Sequence, residues 1–261
     1  MSIHPTAIVS DAAIIDPSVE IGPFCIIEGN VEIGARTIVE SHARIGHRCG
    51  RVVIGTDNYI QNGAVLGGPP QDISYSDDDT SLIIGHHNRI GEYVSINQGT
   101  LKGGGTTRVG DKTLLMAFVH VGHDCQVGNQ VIITNGTQLA GHVRVDDHAL
   151  LSGLAGVTQF VHLGRYSFLT AGAFANKDIP PFTIAEGHWA RPRAINRIAL
   201  KRGGFMEDER RNIERAVRLV LNSSLTIDMV VNNIRTQCVS SEAITYLMDF
   251  LVNSKTGIAR R

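Results

Sequence analysis

The chain has 261 residues, enough for one large domain or two small ones. A net charge of -1 argues against a general nucleic-acid surface, and aromatics at 5% are few for an ordinary globular core. No apolar run approaches the ~18 residues of a membrane span. Met1-Ser2-Ile3-His4-Pro5 lacks a basic-then-apolar leader, so a soluble, cytoplasmic protein is expected.

From the start an aliphatic residue returns every six positions: Ile3, Val9, Ile15, Ile21, Ile27, Ile33, Val39 and Ile45. Six fits neither the ~3.6 period of a helix nor the alternation of a strand. It is the signature of a hexapeptide solenoid, in which each flat face takes one hexad and residues eighteen apart stack. A short insertion, His47 to Val53, shifts the phase before Ile54, Ile60 and Leu66 resume it. A longer excursion, 67–82, carries Pro69-Pro70 and Asp77-Asp78-Asp79 and reads as a loop off the prism, where binding residues concentrate. After Ile84, Ile90 and Ile96, a second excursion, 101–108, holds Gly103-Gly104-Gly105. No Lys-Ser/Thr helix start follows, so it reads as a flexible projecting loop rather than a phosphate cradle.

The best-formed row runs from Val109 through Val121, Ile133, Leu139 and Val157 to Leu169. A small residue often sits four places after each aliphatic one, and glycine often follows it directly, as at Gly110, Gly122, Gly128 and Gly164. Turns are expected at those glycines, where a side chain would crowd the bend. Cys25, Cys49 and Cys125 occupy the small inward slot and read as buried hydrophobes. With no CxxC, neither a disulfide nor a zinc framework is expected. The pattern stops at Asp178-Ile179-Pro180-Pro181, where prolines end strand pairing. Beyond Trp189 the period turns helical. Ile213, Ala216, Val217, Val220 and Leu221 share one helix face, and Thr226–Cys238 and Ser241–Val252 are two further amphipathic candidates. The expected domains are thus a solenoid over 1–187 and a helical cap over 188–261. Nine basic residues between Arg191 and Arg218 face four acidic ones, which reads either as a solvated helix face or as a dock for an acidic partner or phosphates.

A solenoid packed with aliphatics has no deep pocket, so chemistry belongs outside it, in clefts between copies or under a loop. His120-Val121-Gly122-His123-Asp124-Cys125 is the densest polar stretch, and His142 follows Asp124 by one coil. Histidine suits proton transfer at neutral pH, and a neighbouring carboxylate would fix its tautomer. A metal on His120, His123 and His142 is an alternative. No serine or cysteine is set against a histidine as nucleophile, which favours attack by a substrate group.

These residues, with Gly-Gly-Gly-Thr-Thr-Arg-Val-Gly, Leu-Ala-Gly-His, Asp178-Ile-Pro-Pro and Leu200-Lys-Arg-x-Gly-Phe, resemble the acyl-ACP:UDP-N-acetylglucosamine O-acyltransferase family of lipid A biosynthesis, in order along nearly the whole chain. The resemblance implies a mainly β fold, a left-handed parallel β-helix with a small C-terminal α-helical domain, assembled as a homotrimer. The handedness comes from the resemblance alone; general crossover rules point the other way. It also implies an activity, transfer of a (3-hydroxy)acyl chain from acyl carrier protein to the 3-OH of UDP-N-acetylglucosamine. The carrier thioester is the donor, with no further cofactor and no metal.

By resemblance His123 is the general base, Asp124 its acid partner and Gly141 the backbone donor to the oxyanion. Gln71, Asp72, His120, His142, Gln159, Asn196 and Arg202 contact the nucleotide sugar, and Phe168, Ala171 and Trp189 limit acyl length. Acyl carrier protein, being acidic, would suit the basic neck. Four positions depart from the family pattern: Ser74 for lysine, Thr158 for histidine, Gly203 for arginine and Asn97 for histidine. They thin the sugar contacts, so a paralogue acylating the amino group of a UDP- or dTDP-amino sugar, from acyl carrier protein or coenzyme A, is the second reading. A scaffold without catalysis is the third.

Overall fold

The computed structural model describes residues 2–221 and 224–260. Each hexad of the long row becomes a two-residue strand followed by a turn, as in His120–Val121, Gln126–Val127 and Ile132–Ile133. Three strands make a coil, and the next coil pairs in parallel eighteen residues on: Val121 with Leu139, Leu139 with Val157, Val157 with Ala175. The inward aliphatic residues can only meet on the prism axis, and Leu115, Val121, Ile133 and Leu139 are fully buried there. The coil is left-handed.

The strands fall into one sheet of 11 and one of 15. The larger covers two faces because Ile26–Ile33 and Arg44–Ile54 cross a corner without breaking. The insertion at 47–53 therefore runs within a continuous strand. Arg44 and Ile45 pair with Val65 and Leu66, while Arg51 to Ile54 pair with Ser81 to Ile84. Cys49, crossing that corner, is only half-buried, unlike Cys25 and Cys125, because the insertion carries it off the inward register.

The corners also differ from expectation. The left-handed residue of each turn lies not at the glycine after the aliphatic position but two places later, at Lys112, Phe118, Asp124, Gln130, His142, His148, Leu154, Phe160 and Tyr166, all with φ between 54° and 66°. Gly122 is glycine for space, since a Cβ would come 2.9 Å from the backbone of the next coil. The triple-glycine excursion is not a free loop. It opens as a 3-10 turn, Leu101–Gly103, capped by Thr100.

Pairing also survives the prolines. Thr183–Glu186 adds in parallel to Phe168–Leu169, and Arg191–Ile195 returns antiparallel to it. Among the described residues four helices follow: α1 (Arg197–Arg202), α2 (Glu207–Leu221), α3 (Ile227–Gln237) and α4 (Glu242–Val252). The short α1 gives too little periodicity to be read from sequence. α2 buries the expected face, Ile213, Ala216, Val217, Val220 and Leu221. Thr226 and Ser241 cap α3 and α4 by accepting the Met229 and Ile244 N–H groups. Phe182 and Leu200 join these helices in a second apolar core. The cap is tied to the prism through Tyr246, whose hydroxyl donates to Asp146, the partner also of His162. Among the described residues, no helix is long and apolar enough to cross a membrane.

Candidate active site

One prism edge carries Asp124, His142 and Phe160 in a column, each in the left-handed conformation. Asp124 is held hardest. Its carboxylate accepts from the Thr100 N–H at 2.8 Å, the Thr100 hydroxyl at 2.7 Å and His123 Nδ1 at 2.8 Å. Its own N–H donates to Thr107 Oγ1. With side-chain exposure of 1%, this carboxylate is fully partnered. A carboxylate only accepts, so Nδ1 of His123 carries the hydrogen and Nε2 is left basic.

The His123 ring lies against Gly141. A Cβ there would sit 2.6 Å from Nε2, so no other residue lets the imidazole approach the backbone this closely. The Gly141 N–H makes no hydrogen bond among the described residues. A basic nitrogen and an uncommitted backbone donor thus stand side by side, the pair that acyl transfer through a tetrahedral oxyanion needs. His142 meets His123 edge to face at 5.0 Å, stacks on Phe160 at 4.5 Å, and holds Nε2 3.8 Å from Asp124. Burial depresses the His142 pKa, with Asp124 opposing. His120 is lowered by burial too, then by His123, and its Nδ1 is fixed on Ser95 Oγ at 2.8 Å. The ligand atoms of His123, Asp124 and His142 lie within 4.8 Å of one another, close enough to hold a metal. His120 stands outside that cluster on Ser95, and Asp124 is already spoken for by Thr100.

A groove of about 390 Å³ runs from this cluster along the wall, lined by Gln71, His120, His123, Gly141, Gln159 and Phe174 among others. Gln71 and Gln159 therefore both line it. Asp72 sits on the rim, its carboxyl held low mainly by the Ser74 N–H and then the Ser74 hydroxyl. The departures have local reasons. Ser74 also accepts from the Lys102 ammonium, so a cation does reach that position, from the 3-10 turn. Thr158 donates to Ala175 O, and Asn97 donates to Pro69 O at 2.8 Å, pinning the excursion. Gly203 leaves room for the Tyr166 ring, which a Cβ would meet at 2.8 Å.

Other expected site residues lie elsewhere in the single chain. Asn196 caps α1, accepting from Ala199 N–H and donating to Tyr166 O. With Arg202 at the end of α1, it stands by the edge of His148 and Tyr166, a different edge from that of His142. Phe168 belongs to the 11-stranded sheet, whereas Phe174, which the sequence did not single out, lines the groove. Ala171 is exposed at the corner between those two faces. Trp189 is 48% exposed and reaches Phe174 only through His188. Thr100, Thr107, Ser95 and Lys102 were also missed. The excursion after residue 100 stretches the pairing step from eighteen to twenty-five, as Ser95 opposite His120 records, so simple stacking arithmetic fails across it.

A left-handed hexapeptide prism with a histidine, a carboxylate and a free backbone donor on one edge defines an acyltransferase of the hexapeptide class. Comparison with known proteins narrows this. Residues 12–47 and 106–141 match the bacterial transferase hexapeptide family, and 178–259 match the family described as Udp N-acetylglucosamine O-acyltransferase, domain 2. The chain is 45% identical over 262 residues to an acyl-[acyl-carrier-protein]–UDP-N-acetylglucosamine O-acyltransferase of Burkholderia orbicola, covering 99% of both chains. The UDP-N-acetylglucosamine O-acyltransferase structure from Moraxella catarrhalis superposes with a TM-score of 0.95 at 37% identity, covering 100% of both chains. The UDP-N-acetylglucosamine acyltransferase structure from Francisella novicida gives 0.94 at 36%, covering 99% and 94%. The chain belongs to the acyl-[acyl-carrier-protein]–UDP-N-acetylglucosamine O-acyltransferase family.

Proposed function

We propose that the protein transfers a (3-hydroxy)acyl chain from acyl carrier protein to the 3-OH of UDP-N-acetylglucosamine, the first step of lipid A biosynthesis, with His123 as general base. Nε2 of His123 removes the hydroxyl proton as the sugar oxygen attacks the thioester carbonyl. The oxyanion that forms accepts from Gly141 N–H. Collapse expels the carrier thiolate, which takes the proton back from Nε2. The observation that carries this reading is His123 Nδ1 fixed on Asp124 while Nε2 lies beside an unpaired Gly141 N–H. The working unit is a homotrimer. Its support is the placement of His123 and of Asn196 with Arg202 on different prism edges, which only a neighbouring copy brings to one cleft.

The amino-sugar reading deserves a direct comparison, because the departures remove charged and polar contacts worth roughly 1.5–3 kcal/mol each to a charged group. Arg193 and Arg197 are not spare cations to replace them, being paired with Glu186 and Glu214. Lys102 on Ser74 and the exposed Lys201 remain as compensation. Kinetics of UDP-N-acetylglucosamine beside its 3-amino analogue should favour the hydroxyl sugar. A strong preference for the amine would transfer the assignment to an N-acyltransferase.

Acyl length supplies a further expectation. Ala171 is exposed at its corner, and in a cleft closed there by a second prism its methyl would stop a long chain. Medium-chain acyl carrier proteins should be preferred, and Ala171→Gly should lengthen the preferred chain. Each methylene excluded from an apolar groove forfeits about 0.8 kcal/mol, several-fold per carbon pair. An acyl-length panel with a flat profile for both proteins would refute it.

A further inference from the structure

The two segments that break the hexad rhythm meet at one place outside the groove. His47 and Cys49 belong to the insertion and Asp77 to the first excursion, and one donor atom of each, an imidazole nitrogen, the Cys49 Sγ and a carboxylate oxygen, lies within 4.8 Å of the others. Sequence spacing hides the cluster, since Cys49 and Asp77 are 77 − 49 = 28 positions apart. Their backbone is fixed from beneath. The amide of fully buried Gln98 donates to Cys49 O at 3.1 Å and to Gly67 O at 2.9 Å, so one side chain stitches both segments.

Two further features point to a ligand. The Tyr75 hydroxyl, on which Cys49 and Asp77 act electrostatically, is buried without a hydrogen-bond partner among the described residues, and polar atoms of that kind normally have one. Arg48 holds Asp77 through Oδ2, and Oδ1 makes no hydrogen bond among the described residues. Thiolate, imidazole and carboxylate together suit a borderline-soft divalent ion of the zinc class, which takes three protein ligands and leaves a fourth position for water. Metal bonds of about 2.0–2.3 Å ask the donors to close by roughly 1 Å, a change that side-chain rotation supplies.

We propose that His47, Cys49 and Asp77 form a zinc-class cation site that clips the excursion bearing Gln71 and Asp72 to the prism wall. Binding replaces the Cys49 S–H bond with a metal–sulfur bond and releases the proton to solvent. The role is structural, since none of the three lines the His123 groove.

The test is titration of the purified 261-residue protein with Co²⁺ alone. A thiolate-to-cobalt charge-transfer absorption should saturate at one ion per chain and be bleached by Zn²⁺. Cys49→Ser should abolish it. Asp77→Asn, on an exposed stretch where folding is not at stake, should weaken Co²⁺ binding at least 10–100-fold, the loss seen even for outer-shell partners. Cobalt on His123, Asp124 and His142 could not mimic the signal, because that cluster holds no sulfur. Nor could Cys125, whose buried thiol is pushed up to about 12. Absence of the band in the unaltered protein, its survival in Cys49→Ser, or indifference to Asp77→Asn would overturn the proposal.

Discussion

Replacing His123 with alanine should cost roughly 10²–10⁴ in turnover, the range for removing a positioned general base, while the protein stays folded. The residue is 6% exposed, more covered than a side chain simply projecting from the prism, because Gly141 backs the ring and Asp124 holds its Nδ1. It nevertheless lies outside the aliphatic stack, and Asp124 keeps both bonds from Thr100 when the imidazole is gone. A modest loss of stability is therefore expected beside a large loss of kcat, and circular dichroism with steady-state kinetics separates the two. His123→Gln keeps more of the packing and should be as inactive. Activity within a few-fold of the unaltered protein would remove His123 from the mechanism.

Val121→Asp, two residues away, should fail in the opposite manner. Val121 is 0% exposed and pairs with Ile96 before it and Leu139 after it, so its side chain has aliphatic neighbours above and below. A carboxylate there has no donor to meet, and even protonated it buries an unpaired polar group. The effective penalty for an unpaired buried charge is several kcal/mol, a large part of the ~5–15 kcal/mol by which a domain is stable. Expression as aggregate, or a melting transition lost or lowered by tens of degrees, is expected. A soluble, well-folded Val121→Asp protein would mean the inward register has been misassigned.

That register was readable because a period of six leaves few options for burial, and every inward position from Leu115 to Leu169 followed from it. The helical face of α2 was readable for the same reason with a different period. What stayed hidden depended on geometry without a period. Gly141 could be named as the oxyanion donor only by resemblance, and its physical requirement, the His123 ring against its α-carbon, needs two coils in place. Thr100 holds the Asp124 carboxylate, yet it sits across an excursion whose length does not reveal where the chain returns. Phe174 and Phe168 look alike in sequence but fall on different sheets, because six positions along the chain mean one turn of a corner. The basic neck was visible as a count of charges, while its internal pairing, Arg197 and Arg218 on Glu214 and Arg211 on Glu207, was not.

The seat of His123 against Gly141 carries a consequence for how such a site can vary. The two residues are one coil apart, and neighbouring strands of a sheet stand about 4.8 Å from each other whatever their side chains. The backbone step between His123 and Gly141 is therefore a lattice constant of the solenoid. Point substitutions can remove the imidazole or, by placing a side chain at Gly141, push it away, but they leave the coil-to-coil step itself unchanged. Changes in substrate must come from the rim, the excursions and the corners, which vary without disturbing the pitch. The solenoid serves as a ruler, and its graduation is the dimension that substitutions on its surface leave unchanged.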